Sequence, residues 1–377
     1  MNFKRIYAYV ILIPLLVLSC GGNKIHVEVP PPDPIVNPGE GGGSGEGGGS
    51  GSGTGEGGGT GTGTGVPSGE WDKNRGKVVT PSGAGWTSST VRDGIIYYAF
   101  TGTDPVTGVK QNVRAVSVDL TKTDYQIKLV RSAPAVKTSE VHSREGAIAT
   151  MNAGYEAGSI YIRVNGTTFS VIPNTEIGTT GVRNWKSEAA FFGDRGRGVA
   201  IRPADNPLIR PYQSPEKSQM STFIRTERNY YASCTEADVI SSSPLLVYDY
   251  WPVGETFIDT SISNWSSLNT EEPQYHQRKR HPRSAIGITE DKRFIMLVVD
   301  GRQNSLSLGM SAKELTLFFV KNFNPQYALN MDGGGSTAMC VEGLGNASTH
   351  VVNSPIQDNI PGNERARDTH FVITASK

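Results

Sequence analysis

The sequence is 377 residues long and formally neutral, with 36 Lys and Arg residues against 36 Asp and Glu. Without a basic excess it lacks the usual electrostatic footprint of a nucleic-acid-binding protein, which argues against nucleic acid as a partner. The 45 glycines are concentrated near the N-terminus, in a segment too poor in apolar residues to form a core.

The first 19 residues have the pattern of a signal peptide. Lys4 and Arg5 precede an apolar run over residues 6–18, which is too short to span a bilayer. The run ends in VLSC, which resembles a bacterial lipobox and predicts that Cys20 becomes the acylated first residue of a lipoprotein. The alternative is a secreted protein with an unmodified cysteine. We expect the protein to lie in the bacterial cell envelope, periplasmic or surface-exposed, with a membrane contact through Cys20.

Residues 20–69 are predicted to be a disordered tether, Pro-rich at first and then almost wholly Gly, Ser, Thr and Glu. The Gly-rich part has an expected reach of roughly 25–30 Å. A folded domain is predicted over residues 70–377. With Cys20 lipidated, only Cys234 and Cys340 remain, so a cysteine metal cluster is excluded and a single disulfide is left open.

The folded part is predicted to be one α+β domain with mixed β-sheets and few helices. GIIYYAF, NVRAVSVDL and YQIKLV have the β-branched and aromatic composition of a three-stranded meander. SIYIRVNGTTFSVI predicts a hairpin around Asn165 and Gly166, and AAFFGDRGRGVAI predicts another.

Two segments have helical signals. TSEVHSREG has Ser139 as its expected N-cap, and SAKELTLFFVKNF has Ser311 and Glu314 at capping-box spacing. The second helix lies between the apolar runs RFIMLVVDG and QYALNMDGGG. That order predicts a crossover unit whose two strands are parallel or near neighbours.

An aspartate follows each of these apolar runs. Asp300 in VVDGR and Asp332 in NMDGGGST each precede glycine. If the two strands run the same way, both carboxylates end adjacent strands at one edge of the sheet, where ligands bind in open α/β sheets. Gly333, Gly334 and Gly335 would offer bare N–H groups to an anion, with Ser336 and Thr337 as further donors. The alternative is a tight turn beside a structural aspartate.

Two further segments point to the same edge. RKRHPRSAIGI places Arg283 at the start of an apolar strand, where its guanidinium has a fixed direction, whereas residues 278–280 are typical of a solvated charge run. AIATMNAGYE ends an apolar run at Asn152, whose amide either caps the turn or reaches the crevice.

These motifs, in this order, resemble the phosphodiester glycosidase family over roughly residues 91–375. NAGYE is similar to the family's Asn-Gly-Gly-Phe-Phe element, with Ala153, Tyr155 and Glu156 as departures. HPRSAIGI is similar to its Arg-Thr/Ser-Ala-Ile-Gly strand, VVDGRQNSLSLGMSAKEL to its Asp-Gly-Arg block with the following helix, ALNMDGGGSTAM to its most specific signature, and NERARDTHFVI to its closing strand.

The resemblance implies a hydrolase that cleaves a sugar-1-phosphodiester in a surface polymer or glycan. Asp332, in preference to Asp300, would activate water or attack the anomeric carbon. Asn152 and Asn330 would orient sugar hydroxyls. The phosphate would be held by Arg283, Arg302, Gly333, Gly334, Gly335, Ser336 and Thr337.

Two alternatives stay open. Asp300 and Asp332 would instead bind a divalent cation that bridges the phosphate, although the sequence establishes no cofactor. In the other alternative, the protein is a lipid-anchored glycan-binding protein without enzymatic activity, with Trp185, Trp251 and Trp265 as its aromatic platforms.

Overall fold

The computed structural model describes residues 73–172, 185–203, 230–256, 258 and 261–376. These residues belong to one compact unit. The predicted signal peptide, the lipobox cysteine and the predicted tether lie outside the described residues. Within the described ranges, no helix is long and apolar enough to cross a bilayer.

The described part contains nineteen strands and three α-helices. The strands are β1 (Trp86–Arg92), β2 (Ile95–Thr103), β3 (Lys110–Asp119), β4 (Tyr125–Val136), β5 (Ala149–Asn152), β6 (Ile162–Val164), β7 (Thr167–Ser170), β8 (Ala189–Gly193), β9 (Val199–Pro203), β10 (Asp238–Ser242), β11 (Leu245–Tyr248), β12 (Trp251–Pro252), β13 (Arg283–Ile288), β14 (Arg293–Val299), β15 (Tyr327–Asn330), β16 (Met339–Val341), β17 (Ile356–Gln357), β18 (Ile360–Pro361) and β19 (Arg367–Ala375). The helices are α1 (Thr138–Glu145), α2 (Pro273–Arg278) and α3 (Ala312–Phe323).

The strands form three main sheets and one short hairpin. The eight-stranded sheet has the order β1-β2-β3-β14-β13-β15-β11-β12, the five-stranded sheet β7-β6-β10-β8-β9, and the four-stranded sheet β16-β5-β19-β4, while β17 pairs with β18. The predicted strand-rich α+β class is confirmed. The sheets are not mixed, however, since all pairings among the described strands are antiparallel.

Both faces of the eight-stranded sheet are buried at its centre. Along β14, Phe294, Met296 and Val298 pack into a core shared with the other two large sheets. The residues between them face α3, where they pack with Phe318 and Phe319. A strand covered on both faces has no solvent side, which explains why these runs are almost continuously apolar.

Helix α3 connects β14 to β15, and its predicted capping box is confirmed. Ser311 Oγ accepts from the Glu314 N–H at 3.2 Å, and the Glu314 carboxylate accepts from the Ser311 N–H at 2.9 Å. Strands β14 and β15 run the same way because both pair antiparallel with β13, which lies between them. The expectation of adjacent strands is therefore wrong, although Asp300 and Asp332 do follow strands that end at the same edge.

The predicted meander is only partly correct. Strands β2 and β3 pair as a hairpin. The other edge of β3 is occupied by β14, so β4 pairs with β19 in the four-stranded sheet instead. The two other predicted hairpins are confirmed as β6–β7 and β8–β9. Asn165 and Gly166 both have positive φ, at 51° and 77°, as a tight two-residue turn requires.

Ser139 is not the N-cap of α1, because Lys137 occupies that position and does not cap with its side chain. The N–H and Oγ of Ser139 instead donate to the Glu364 carboxylate at 3.0 and 2.6 Å, so the cap comes from a distant segment. Cys234 and Cys340 are both free thiols, which answers the question of their pairing.

Glu188 fastens the start of β8 to the chain around β11. Its Oε2 accepts hydrogen bonds from Ser243 Oγ at 2.9 Å, the Leu245 N–H at 2.9 Å and Thr256 Oγ1 at 2.8 Å. Burial nevertheless raises the pKa of this carboxyl to about 7, because the three hydrogen bonds offset only part of the desolvation.

We predict that Glu188 makes the fold less stable as pH rises. The unfolded chain releases this proton near pH 4.5 and the folded chain near 7, so stability present below 4.5 is lost across that window. The loss is on the order of 3 kcal/mol. Glu188→Gln should remove this dependence, measured as the difference in unfolding free energy between the two proteins at pH 4, 6 and 8. A difference that does not change with pH would contradict the assignment.

Candidate active site

The end of β15 is joined to the four-stranded sheet by two hydrogen bonds. The Asp332 N–H donates to the Ala153 carbonyl at 3.0 Å, and Asn152 Nδ2 donates to the Asp332 carbonyl at 2.6 Å. Because β13 begins at this same edge, Arg283 is brought there as well. The Asp-Gly-Gly-Gly turn is therefore held where the two sheets meet.

The Asp332 carboxyl is buried, with only 7% of the residue exposed. Its Oδ2 lies 3.1 Å from Arg367 Nε, an ion pair in which neither atom forms a well-directed hydrogen bond within the described part. Burial raises the pKa of Asp332, Arg367 opposes that rise, Glu156 adds to it, and the Ser336 hydroxyl and Lys186 oppose it more weakly. Asp332 is thus a buried carboxyl whose ion-pair partner is Arg367.

Each of the three glycines lies so close to a neighbouring group that a side chain would not fit, and Gly333 and Gly334 face the first two of these neighbours. A methyl group on Gly333 would lie 2.6 Å from the Pro282 carbonyl oxygen, and one on Gly334 would lie 3.1 Å from Arg302 Nη2. Gly334 also has a φ of +62°. The prediction of bare N–H groups is wrong for Gly334, whose N–H donates to the Pro282 carbonyl at 2.9 Å. Close approach by neighbours is what glycine permits here.

The third glycine makes room for a second guanidinium. A methyl group on Gly335 would lie 2.8 Å from Arg365 Nη2 and 2.5 Å from Gln357 Oε1, to which Arg365 Nε donates. Burial and the neighbouring Arg365 lower the pKa of Arg302. Two guanidiniums therefore lie beside the turn and close to one another.

Arg283 belongs to the same cationic cluster but is almost fully buried, at 1% exposure. Its Nε donates to the Met310 carbonyl at 2.9 Å, and its Nη2 donates to the carbonyls of His276 at 2.6 Å and Lys279 at 3.0 Å. Burial lowers its pKa to about 10. The guanidinium holds the chain between α2 and β13 in place and adds positive potential to the site.

No carboxylate among the described residues lies at ion-pair distance from Arg283, Arg302 or Arg365. The nearby acids, Asp332 and Glu156, both pair with Arg367 instead. The two neighbouring histidines are held neutral. Burial, assisted by Arg283, lowers the pKa of His276 well below its usual value and that of His281 to about 3. His281 Nδ1 can then accept from Arg302 Nη2 at 3.1 Å. The site has a cluster of positive charge that an anion would complete.

Asp300 is not placed like Asp332. It is fully buried, and its carboxylate accepts from Asn112 Nδ2 at 2.6 Å, Asn353 Nδ2 at 2.8 Å and the Ser354 N–H at 2.9 Å. This pattern is that of a structural anchor between β3 and the 353–354 loop. The described residues also contain no group of three or more His, Cys, Asp or Glu side chains arranged for a metal ion. The donor set does not fit the bridging cation.

The predicted sugar ligands lie behind the turn. Asn152 is fully buried, and its Oδ1 accepts from Ser284 Oγ at 2.8 Å and from the Ala338 N–H at 3.2 Å. Asn330 is equally buried, and its Nδ2 donates to the Ser243 carbonyl at 2.9 Å. Both amides hold backbone groups behind the turn, and Asn330 Oδ1 has no hydrogen-bond partner among the described residues.

Ser336 and Thr337 are buried directly after the glycines, at 0% and 1% exposure. Neither hydroxyl oxygen forms a well-directed hydrogen bond among the described residues, but the Ser336 hydroxyl lies close enough to Asp332 to lower the pKa of that carboxyl. Buried hydroxyls are normally paired, so Thr337 retains capacity for a ligand or water.

Sequence reasoning missed Arg365, Arg367 and Lys186. The two arginines stand at alternate positions before the apolar run of β19, the same signal that singled out Arg283, and it was available in NERARDTHFVI. Lys186 had no such signal. Its Nζ lies 4.7 Å from the centre of the Tyr155 ring and 2.6 Å from a Glu271 carboxylate oxygen, a burial that only the tertiary structure reveals.

The departure at Tyr155 has a defined place in this site. The phenol donates to the Ser243 carbonyl at 3.0 Å and accepts from Asn330 Nδ2 at 3.1 Å. A phenylalanine would leave these polar groups without the hydroxyl, so tyrosine suits a polar wall behind Asp332.

The chain combines an α+β fold with an Asp-Gly-Gly-Gly turn where two sheets meet. Comparison of its sequence with protein families identifies the class to which this combination belongs. The profile of phosphodiester glycosidases matches residues 145–374, more than half of the chain, and this range includes Asp332, the three glycines and the arginines around them. The chain belongs to the phosphodiester glycosidase family.

Several solved structures are similar to this chain at low sequence identity. The catalytic domain of zebrafish N-acetylglucosamine-1-phosphodiester alpha-N-acetylglucosaminidase, auto-inhibited by its pro-peptide, is 16% identical over 79% of this chain and 86% of that one, with a TM-score of 0.46. A hypothetical protein from Synechocystis is 11% identical over 77% and 64%, with a TM-score of 0.46. A candidate exported protein from Burkholderia pseudomallei is 12% identical over 79% and 99%, with a TM-score of 0.48. No curated protein sequence matches the chain.

We predict that alanine at Gly333 lowers stability, whereas alanine at Gly335 lowers phosphate affinity. Gly333→Ala should lower the unfolding free energy by roughly 1–3 kcal/mol, because its new methyl meets backbone. Gly335→Ala should leave stability nearly unchanged but weaken binding of inorganic phosphate several-fold, because it displaces the ends of Arg365 and Gln357. Thermal unfolding and calorimetric phosphate titration of both variants check this. Equal stability losses would contradict it.

Proposed function

We propose that this protein is a hydrolase that cleaves the bond between a sugar and phosphate in a sugar-1-phosphodiester. The observation that carries the proposal is the group of arginines without carboxylate partners beside the buried carboxyl of Asp332. A phosphodiester linked to an anomeric carbon needs both features. Its phosphate needs cations, and its carbon needs a carboxylate to deliver water or attack directly.

The leaving group explains why cations matter more than a general acid. Departure from C1 yields a phosphate monoester, whose second pKa is about 6, so it leaves at neutral pH with little need for a proton. Arg302 and Arg365, at the surface of the turn, are suited to stabilise the charge that develops on its oxygens. Arg283 supports them through its positive potential and by fixing the chain before β13.

Asp332 is the carboxylate we assign to the anomeric carbon. As a base it would take a proton from the water that attacks C1, and as a nucleophile it would form the bond to C1 itself. In both cases the bond from C1 to the phosphate oxygen breaks, and its electron pair goes to the phosphate. We reassign Asp300, Asn152 and Asn330 from direct contact with substrate to positioning roles, because all three side chains are fully buried and each bonds to neighbouring protein groups, Asn330 through its Nδ2 alone.

Two of the three tryptophans argue against the glycan-binding alternative. Trp185 is fully buried and donates its Nε1–H to the Glu271 carbonyl at 2.9 Å, so it offers no open face to a sugar. The Arg278 guanidinium lies over one face of the Trp265 ring, 5.0 Å from its centre. Trp251, on the short strand β12, is partly exposed and is the aromatic platform that remains. The substrate class we propose is a phosphate-linked glycoside in a surface polymer or glycan.

The N-terminal segment supports an anchored location. The basic residues, apolar run and VLSC sequence favour acylation of Cys20, followed by a Gly-rich tether that separates the catalytic domain from the membrane. Cys20→Ala should transfer the protein from the membrane fraction to the soluble fraction without changing its circular dichroism spectrum. A variant that still sediments with membranes would refute lipid anchoring.

We predict that Asp332→Asn lowers turnover without lowering stability, and that Asp300→Asn lowers stability. Asp332→Asn should lower turnover of a synthetic sugar-1-phosphodiester by on the order of 10²–10⁴-fold, because an amide is neither base nor nucleophile. Its melting temperature should stay close to that of the wild type. Asp300→Asn, the matched control, should lower the unfolding free energy by roughly 2 kcal/mol, because the amide cannot accept all three hydrogen bonds.

The assay is release of free sugar per folded molecule, alongside thermal unfolding of each variant. A large fall in stability for Asp332→Asn with unchanged activity per folded molecule would assign Asp332 to structure alone. Tight binding of the phosphodiester by the wild type without any release would favour the glycan-binding alternative.

A further inference from the structure

Arg367 connects Asp332 to a second carboxylate. Its Nε lies 3.1 Å from Asp332 Oδ2, its Nη1 donates to Glu156 Oε1 at 3.2 Å, and its Nη2 donates to the Gly154 carbonyl at 3.1 Å. The guanidinium is thus fixed on both of its edges. It leaves Asp332 buried on one side and Glu156, whose side chain is 60% exposed, on the other.

The two carboxylates have opposite environments. Burial raises the pKa of Asp332, and Arg367 compensates only in part. For Glu156, burial also acts to raise the pKa, but Arg367, a hydrogen bond from the backbone N–H of Glu156 and Lys186 together outweigh it, and the pKa is lowered. Lys186 Nζ lies 3.9 Å from Glu156 Oε2. When the environments of two neighbouring carboxyl groups shift their pKa values in opposite directions, one group can transfer a proton while the other stays ionised and stabilises charge.

Resting on the hydrolase proposed above, we infer that Glu156 is the second carboxylate of the active site and that Arg367 positions it against Asp332. Asp332 accepts the proton of the attacking water, whose oxygen forms the bond to C1. The bond from C1 to the phosphate oxygen breaks, and its electron pair leaves with the phosphate. Glu156 stays ionised and faces the positive charge that develops on the sugar ring.

This assignment uses a residue to which the family resemblance gives no role. Asp300, the partner that the sequence suggests for Asp332, has its carboxylate oxygens committed to Asn112, Asn353 and Ser354. Glu156 instead retains exposed surface beside Asp332. The other titratable and charged groups around the pair are Lys186, Glu271, Asp368, His370 and the phenol of Tyr155.

The test is the titration of Asp332 itself, followed by carbon-13 NMR of the carboxyl carbon in protein labelled at aspartate, with Asp332→Asn giving the assignment. Glu156→Gln removes a negative neighbour, so the Asp332 titration should move to lower pH. Arg367→Met removes the cation and should move it to higher pH, whereas Arg367→Lys should restore much of the difference. Glu271→Gln is the matched control, since Glu271 shares Lys186 with Glu156 but does not contact Arg367; it should leave the titration in place.

Kinetics on the synthetic phosphodiester give the second readout. Glu156→Gln should lower kcat by roughly 10–100-fold with KM changed less than about threefold, because Glu156 acts in the transition state. The acid limb of the kcat/KM profile should move as the Asp332 titration does. The released sugar should have the inverted anomeric configuration, and retention would overturn the role of Asp332 as base.

The two proposals fail separately. An Asp332 titration that is the same in wild type, Glu156→Gln and Arg367→Met overturns the coupled pair, even if sugar is released. Opposite shifts in Glu156→Gln and Arg367→Met without any release of sugar support the pair and overturn the hydrolase. Glu156 is exposed, so Glu156→Gln keeps the test decisive if Arg367→Met does not fold.

Discussion

The hydrogen bond from the Asn152 amide to the Asp332 carbonyl is the interaction on which the rest of the site depends. With the return bond from the Asp332 N–H to Ala153, it fixes the end of β15 to the end of β5 and thereby joins two sheets at one edge. The starts of β13 and β19 pair into these same sheets, so Arg283 and Arg367 are positioned by the same register. A shift at this junction would displace Asp332, Arg283 and Arg367 together.

Desolvation then sets the electrostatics. Buried charges that lack partners are costly, and proteins usually pair them or neutralise them. Here His276 and His281 are neutral at neutral pH. The nearby arginines keep their charge, because the pKa of a guanidinium stays above neutral pH, even for the buried Arg283. Positive potential is therefore built into the folded state before any ligand arrives. Such preorganisation is what makes donors effective towards charge that develops during a reaction.

The sequence predicted those features whose causes are local. Capping of α3 depends on Ser311 and Glu314 three residues apart, and the β6–β7 turn depends on Asn165 and Gly166. The glycine turn was also located, although the reason for its glycines was not, because the side chains that approach it come from residues 302 and 357–365. β4 was misplaced because the neighbour of β3 is β14, which is distant in the sequence. No local pattern distinguishes a carboxylate with three donors, such as Asp300, from one with a single cation.

The hairpin of β17 and β18 belongs to a different part of the fold from the strands that carry Asp332 and Arg367. Gln357 lies on this hairpin and Arg365 follows it, whereas the carboxylate and its arginine are carried by the large sheets. Its tip, Asp358 and Asn359, has the positive φ values of a tight turn, and Ile356 at its base is buried. Exchange of this short segment between relatives would change the surroundings of Arg365 without altering β15 and β19, which place Asp332 and Arg367. Variation among family members on the Arg365 side of the turn would then be expected to concentrate in the few residues of this hairpin.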